Sequence, residues 1–199
     1  MVKAGAVPEW WSVAKFEIME KDESLRGIIS DYQEPPLSSK GDLFATLIKS
    51  IVGQQISVIA ASAVWGRFCD CVGEVTPESI LEKSHAQLRE VGLSNRKVEY
   101  ILGICEEWRK GLHETEWDSL SDEKVIEELV KLRGVGRWTV EMLLIFALLR
   151  KDVFPIDDIG LIRVMEKLYN NVEPLEKSQL YKISDSWKPY RTLGVWYIW

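Results

Sequence analysis

Apolar positions along this chain recur at helical spacing, and polar or glycine-rich breaks divide them into short segments. After Asp42, Leu43, Phe44, Leu47, Ile48, Ile51 and Val52 fall on one face of a helix, with Asp42 placed to cap it. Gly53 interrupts that stripe, and Gln54-Gln55-Ile56-Ser57 leads to a second apolar run ending near Phe68. Thr76-Pro77-Glu78 reads as a helix start, a capping residue followed by proline at the first helical position. Leu88 to Ser94 then turns into a helix with Val98, Ile101, Leu102, Cys105 and Trp108 on one side. Ser121 caps a further helix that runs into Leu132-Arg133-Gly134-Val135-Gly136, and an apolar helix follows. Upstream, the pattern predicts a short helix over Val13–Ile29, with Trp10, Trp11 and Phe16 supplying core mass. Pro35-Pro36 ends it, and Ser38-Ser39-Lys40-Gly41 reads as a linker. Alternation of useful length is missing, so the expected fold class is all-α.

Composition changes this picture little. With 199 residues, 46% apolar and 28% charged, the chain can bury a substantial core as one large domain or two small ones. The N-terminal residues carry no apolar signal-peptide core, and no run approaches transmembrane length. Three cysteines, Cys69, Cys71 and Cys105, are an odd number without a disulfide framework. Cys105 belongs to an apolar helix face, and the other two read as reduced thiols. Cysteine use and the missing signals together predict a cytoplasmic or nucleoid protein, nuclear in a eukaryote, with no membrane association.

Charge matters more. The net charge of −6 argues superficially against a nucleic-acid partner, but it is unevenly spread. Residues 1–130 hold 14 Lys/Arg against 23 Asp/Glu, whereas residues 131–199 hold 11 against 8. Affinity for DNA follows the local field and the phosphates contacted rather than the overall charge.

The chemistry concentrates between Glu128 and Ile162. Gly134 and Gly136 stand where one helix must stop and another start, a place that requires positive φ angles. The N-terminus of the second helix then offers backbone N–H groups and a positive dipole end, a phosphate site flanked by Lys131, Arg133 and Arg137. About one helix length later Phe154-Pro155-Ile156 delivers two carboxylates, Asp157 and Asp158.

This combination resembles the helix-hairpin-helix, Gly/Pro-Asp superfamily of DNA glycosylases. Leu132-Arg133-Gly134-Val135-Gly136 with Trp138-Thr139 matches its hairpin, and Phe154 to Asp158 its catalytic loop. Ser50–Ser57 and Gly92-Leu93 with Arg96-Lys97 are similar to two further turns of the family. The tail, with Trp187, Pro189 and Arg191 ahead of Trp196-Tyr197-Ile198-Trp199, resembles the end of the alkylpurine branch. The resemblance covers about residues 43–199.

The resemblance implies a two-lobed all-α fold with its active site in the cleft between the lobes. Residues 42–158 would form a helical bundle containing the helix-hairpin-helix at about 122–149. Residues 1–41 would pack with the C-terminal helices, 159–199, as the second lobe. The implied activity is that of a monofunctional DNA glycosylase, which flips out alkylated purines of the 3-methyladenine and 7-methylguanine type. It hydrolyses the N-glycosidic bond and leaves an abasic site for base excision repair. The partner would be double-stranded DNA containing damaged bases, bound by a monomer. Two alternatives remain: a glycosylase for deaminated, oxidised or mismatched bases, and a non-catalytic hairpin module that only binds DNA.

The family's site residues carry over position by position. Asp158 is the implied catalytic carboxylate, with Asp157 supporting it. By local sequence alone Asp158 is a helix N-cap, and the two roles are compatible. Gln55 matches the residue that wedges into the duplex; its plain reading is a polar helix-junction side chain. Trp138, Met142 and Trp199 match the base pocket, Met142 standing where a bacterial member has tyrosine, although most tryptophans in any chain are core. Arg133, Gly134, Val135, Gly136, Arg137 and Thr139 would hold DNA phosphates. Hairpin carbonyls near Leu132 and Val135 would carry a monovalent cation, sodium or potassium. Glu141 reads as part of a solvated helix face. Members that also cut the backbone have a lysine two positions after the second hairpin glycine, and here that position is Trp138. The four-cysteine cluster of the iron–sulfur branches is also missing from this sequence, so the resemblance implies no cofactor.

Overall fold

The computed structural model of the protein describes residues 3–32 and 35–199, and every regular element among them is helical. The chain opens with α1 (Trp11–Lys21) and α2 (Glu23–Asp31). The single helix expected over 13–29 is therefore two. Asp22 leaves helical geometry at φ −137°, and its carboxylate accepts the Leu25 N–H at 3.0 Å, so it starts the second helix where the first ends. Phe16 also departs from expectation. The buried face of α1 is set by Trp11, Ala14 and Ile18, and Phe16, on the far side of the helix, is 70% exposed.

Residues 41–143 form one compact unit. It contains α3 (Leu43–Gly53), α4 (Val58–Val72), α5 (Pro77–Leu81), α6 (His85–Glu90), α7 (Asn95–Arg109), α8 (Asp122–Leu129) and the first part of α9 (Arg137–Phe146). Leu43, Phe44, Leu47, Ile48, Ile51 and Val52 are all buried and turn α3 toward α4 and α7. Each such side chain taken fully out of water contributes roughly 1.5–3 kcal/mol. Asp42, Thr76 and Ser121 cap their helices as expected. Ser57, Ser84 and Ser94 do the same for α4, α6 and α7. Cys105 lies inside the unit at 0% exposure, and burial pushes its thiol up to about 12.

The N-terminal segment up to Lys40 and Leu144–Trp199 form the other unit. Its remaining helices are α10 (Ile159–Tyr169), α11 (Lys177–Asp185) and α12 (Arg191–Ile198). The division falls within α9, earlier in the chain than the boundary at 158 expected from sequence. Aromatic residues build this core. Trp11 stacks on Tyr197 with centroids 5.9 Å apart, and Trp187, fully buried, lies against Gly194 of α12. No helix among the described residues is long and apolar enough to cross a membrane.

Candidate functional site

In the first unit, α8 ends at Leu129 and the chain turns through residues 130–136 into α9. Gly134 takes φ +91°, and a Cβ there would sit 2.3 Å from the Tyr100 ring, so both conformation and space demand glycine. Gly136 is different from the expectation: its φ is not positive, and a Cβ there would meet nothing within 4 Å. Its contribution is an open approach to the start of α9. Val140 N–H donates to Gly136 O at 3.2 Å, and the N–H groups before it lie in the turn where no intrahelical acceptor exists.

Gln54, which sequence reading passed over, ties this turn to the one between α3 and α4. Its Nε2 donates to Gly134 O at 3.0 Å. Lys97 Nζ donates to Val52 O at 2.7 Å and so closes the end of α3. With both anchors in place, Gln55 stands exposed at φ +59°, a left-handed conformation uncommon outside glycine. Gln54, Gln55, Ile56, Gly136, Trp138 and Thr139 border a cleft of about 710 Å3. The structure thus brings the expected wedge residue, the hairpin and one expected pocket residue to one place. Trp138 is 42% exposed there, and Met142, half-buried, follows one turn later on α9. Another cleft of about 690 Å3, bordered by Asp42, Phe44, Thr76, Glu78, Trp108 and His113, contains none of these residues.

The hairpin cations are not bare. Lys131 pairs with Glu128 at 2.6 Å, and Arg133 with Glu99 at 3.6 Å while lying over the Tyr100 ring. Arg137 bridges Glu123 at 2.8 Å and Glu141 at 3.2 Å. The hydrogen bond from Arg137 holds the Glu123 carboxyl below its ordinary value. Glu141 corrects the sequence reading, for it is 6% exposed rather than solvated. Val135 and Thr139 are buried as well, and the Val135 N–H is already given to Leu132 O at 3.1 Å, so neither presents its side chain to a phosphate.

In the second unit, Val153, Phe154, Pro155 and Ile156 are buried, and Phe154 packs edge-on to Trp187 at 6.1 Å. The two aspartates that follow divide their work. Asp157 is exposed and ion-paired to Lys177. Asp158 is the residue that caps: its Oδ1 accepts the Leu161 N–H at 2.7 Å and the indole N–H of Trp199 at 3.4 Å. A Cβ on Gly160 would come within 3.2 Å of the same oxygen, so glycine keeps the carboxylate clear. Trp199 is 44% exposed and stacks on Phe146, with centroids 5.9 Å apart and planes at 17°. A half-buried carboxylate oriented by a helix start and an indole is a fixed anion with one flank aromatic.

Two features escaped sequence reading. Gln54 looks like its neighbour in sequence, and only its carbonyl partner separates the two. Asp152 is bound through a bidentate pair by Arg191, residues separated by 39 positions. Nothing local in the sequence links them.

Comparison with known proteins supplies the wider context. Residues 48–189 match the HhH-GPD superfamily of base excision DNA repair proteins. DNA-3-methyladenine glycosylase 1 of Schizosaccharomyces pombe is 34% identical over 177 residues, 86% of this chain and 78% of that protein. The crystal structure of a DNA-3-methyladenine glycosidase from Bacillus halodurans superposes with a TM-score of 0.83 at 38% identity, over 94% of this chain and 87% of the other. The S. pombe 3-methyladenine DNA glycosylase, in complex with abasic DNA, gives 0.82 at 33% identity over 94% and 95%. By hairpin, carboxylate loop and the length of the match, the chain belongs to the HhH-GPD superfamily of base excision DNA repair proteins.

Proposed function

We propose that the protein is a monofunctional DNA glycosylase that removes alkylated purines from double-stranded DNA and leaves an abasic site for base excision repair. The observation that carries this reading is Asp158. A carboxylate pushed toward polyanionic DNA is unfavourable for a protein that only binds, and here the structure spends two donors on orienting one. Rupture of an N-glycosidic bond develops positive charge on the deoxyribose, in an oxocarbenium-like state. A fixed anion stabilises that charge as it appears, and the same oxygen can take a proton from the attacking water. Each tenfold in rate requires only about 1.4 kcal/mol.

The other residues fit around that step. The start of α9 receives a phosphate through backbone N–H groups, with Arg133 and Arg137 beside it, holding the duplex without reading sequence. Gln55 enters the space left by the extruded base, and its amide hydrogen-bonds to the widowed partner. The residues proposed to contact the flipped base are Trp138 and Met142 on α9 and, from the other unit, Trp199. An alkylated purine is cationic, and stacking with cation–π attraction contributes roughly 0.5–2 kcal/mol per favourable contact. Flipping itself costs a few kcal/mol and is easier for a damaged base. Water serves as the nucleophile, since position 138 offers an indole and no amine for Schiff-base attack. No iron–sulfur centre enters this reading, and a single monomer acts. A monovalent cation bound at the hairpin would rest on the carbonyls of Leu132 and Val135. Leu132 O accepts the Val135 N–H at 3.1 Å, and a carbonyl has a second lone pair for such a hard cation.

The test is base release from methylated duplex DNA by wild type and by Asp158→Asn, with abasic-site DNA binding measured alongside. The wild type is expected to release 3-methyladenine, and the variant to lose about a hundredfold or more in rate with binding retained. If the wild type releases no methylated purine, a panel of uracil, hypoxanthine and 8-oxoguanine duplexes separates another glycosylase from a DNA-binding module. Release at an undiminished rate by Asp158→Asn sinks the assignment of the carboxylate.

A further inference from the structure

Helix α12 grips the carboxylate loop at both of its ends. At the helix start, Arg191 forks onto Asp152: Nε reaches Oδ1 at 2.8 Å and Nη2 reaches Oδ2 at 2.9 Å. Nη2 also donates to Asp152 O at 3.1 Å, and the Arg191 backbone N–H to Oδ1 at 3.2 Å. Thr192, fully buried, continues the clasp. Its N–H donates to Lys151 O at 3.1 Å, its hydroxyl donates to Arg150 O at 2.7 Å, and the same hydroxyl accepts the Val153 N–H at 2.9 Å. Beyond the helix end, Trp199 places its indole N–H 3.4 Å from Asp158 Oδ1. The segment from Asp152 to Asp158 is therefore strung between the two ends of one rigid rod.

We propose that Arg191 is a positioning residue for base release, acting through Asp152 to fix where the Asp158 carboxylate lies. The inference rests on Asp158 being the reacting carboxylate. The pair is suited to the task. The Arg191 and Asp152 side chains are 19% and 30% exposed, so they are partly shielded from water and competing ions. A bidentate guanidinium–carboxylate contact fixes direction as well as distance, which a lysine ammonium does not. Electrostatic stabilisation of a developing cation is sensitive to placement: a shift of about 1 Å can cost about a hundredfold in rate. A loop held at its first residue and at its carboxylate has little freedom for such a shift.

The experiment measures single-turnover release of 3-methyladenine from methylated duplex DNA, abasic-site DNA affinity and thermal midpoint for wild type, Arg191→Lys, Asp152→Asn, the double variant and Asp158→Asn. Arg191→Lys keeps the charge and loses the fork. Asp152→Asn keeps one acceptor oxygen and loses the other, and it carries the same readout should Arg191→Lys fold poorly. Each is expected to slow release about 10- to 100-fold with DNA affinity within about twofold of wild type. The double variant should be no slower than the worse single, because the two residues act as one device. Wild-type release rates in Arg191→Lys and Asp152→Asn, or a loss that only tracks the folded fraction or DNA affinity, overturn the proposal. If Asp158→Asn is as fast as wild type, the reading of the carboxylate fails instead, which separates the two results.

Discussion

Asp22 is a buried carboxylate whose oxygens are matched by three donors. Oδ1 accepts the Leu25 N–H at 3.0 Å, and Oδ2 accepts both the Trp187 indole N–H and the Tyr169 hydroxyl at 2.8 Å. Burial of a charge is tolerated when its lone pairs are used in this way. Asp22→Asn keeps the cap but sets an NH2 group against the Trp187 N–H, which water cannot reach. The expected cost is about 1–3 kcal/mol, read from urea unfolding. The same contact gives a pH signature. Burial, and then the Asp22 charge, push the Tyr169 hydroxyl above its ordinary value of 10.0. A group whose folded value is raised contributes stability that is complete below the unfolded value and is lost as pH rises through the folded one. The thermal midpoint of wild type should therefore fall more steeply above about pH 10 than that of Tyr169→Phe. None of this was legible in the sequence, because Asp22 and Trp187 are 165 positions apart. Phe16 and Glu141 misled for a related reason. Residue type alone put the first inside and the second outside, whereas Ala14 and Ile18 set the buried face of α1, and Glu141 is buried with its carboxylate paired to an Arg137 that stays at the surface.

At the level of elements, much more was readable. The stripe of α3, most of that of α7 (where Ile104 is buried and the expected Leu102 only half-buried), the caps at Asp42, Thr76 and Ser121, and the hairpin all follow local rules that need no partner from elsewhere in the chain. The hairpin still held a distinction that sequence could not supply, since its two glycines look alike and do different things. Gly134→Ala would force a side chain at φ +91° into the Tyr100 ring. A loss of about 2 kcal/mol or more is expected in urea unfolding. Gly136→Ala meets no neighbour and should fold within about 1 kcal/mol of wild type, while its methyl group obstructs the phosphate approach and weakens duplex DNA binding. Equal stability losses in the two variants would contradict this division. A comparable close approach in α12, where a Cβ at Gly194 would lie 2.6 Å from the Trp187 ring, predicts an overpacking cost of about 1–3 kcal/mol for Gly194→Ala.

Across the whole molecule, net charge and local field part company. The sequence places an excess of cations after residue 130, and that excess suggests an attractive surface at the hairpin. Folding brings carboxylates from the acidic part of the chain onto the same cations: Glu128 onto Lys131, Glu99 onto Arg133, and Glu123 onto Arg137. Each occupies a position where a phosphate oxygen could otherwise bind. Such exposed pairs are weak and exchange partners readily, so DNA can displace them, but only by competing. It follows that removing a competitor should tighten binding even though no contact to DNA is added. Glu123→Gln frees the Arg137 guanidinium of its 2.8 Å partner and leaves Glu141 to orient it. Binding of undamaged duplex is expected to tighten severalfold at about 50 mM salt and to converge on wild type above about 300 mM, with a salt dependence steeper by roughly one phosphate. Glu107→Gln, which removes the same charge from a pair with Lys110 on another helix, is the control and should change affinity little. If both variants bind equally tightly, overall charge governs DNA affinity; if only Glu123→Gln does, the ion pairs of the hairpin set it.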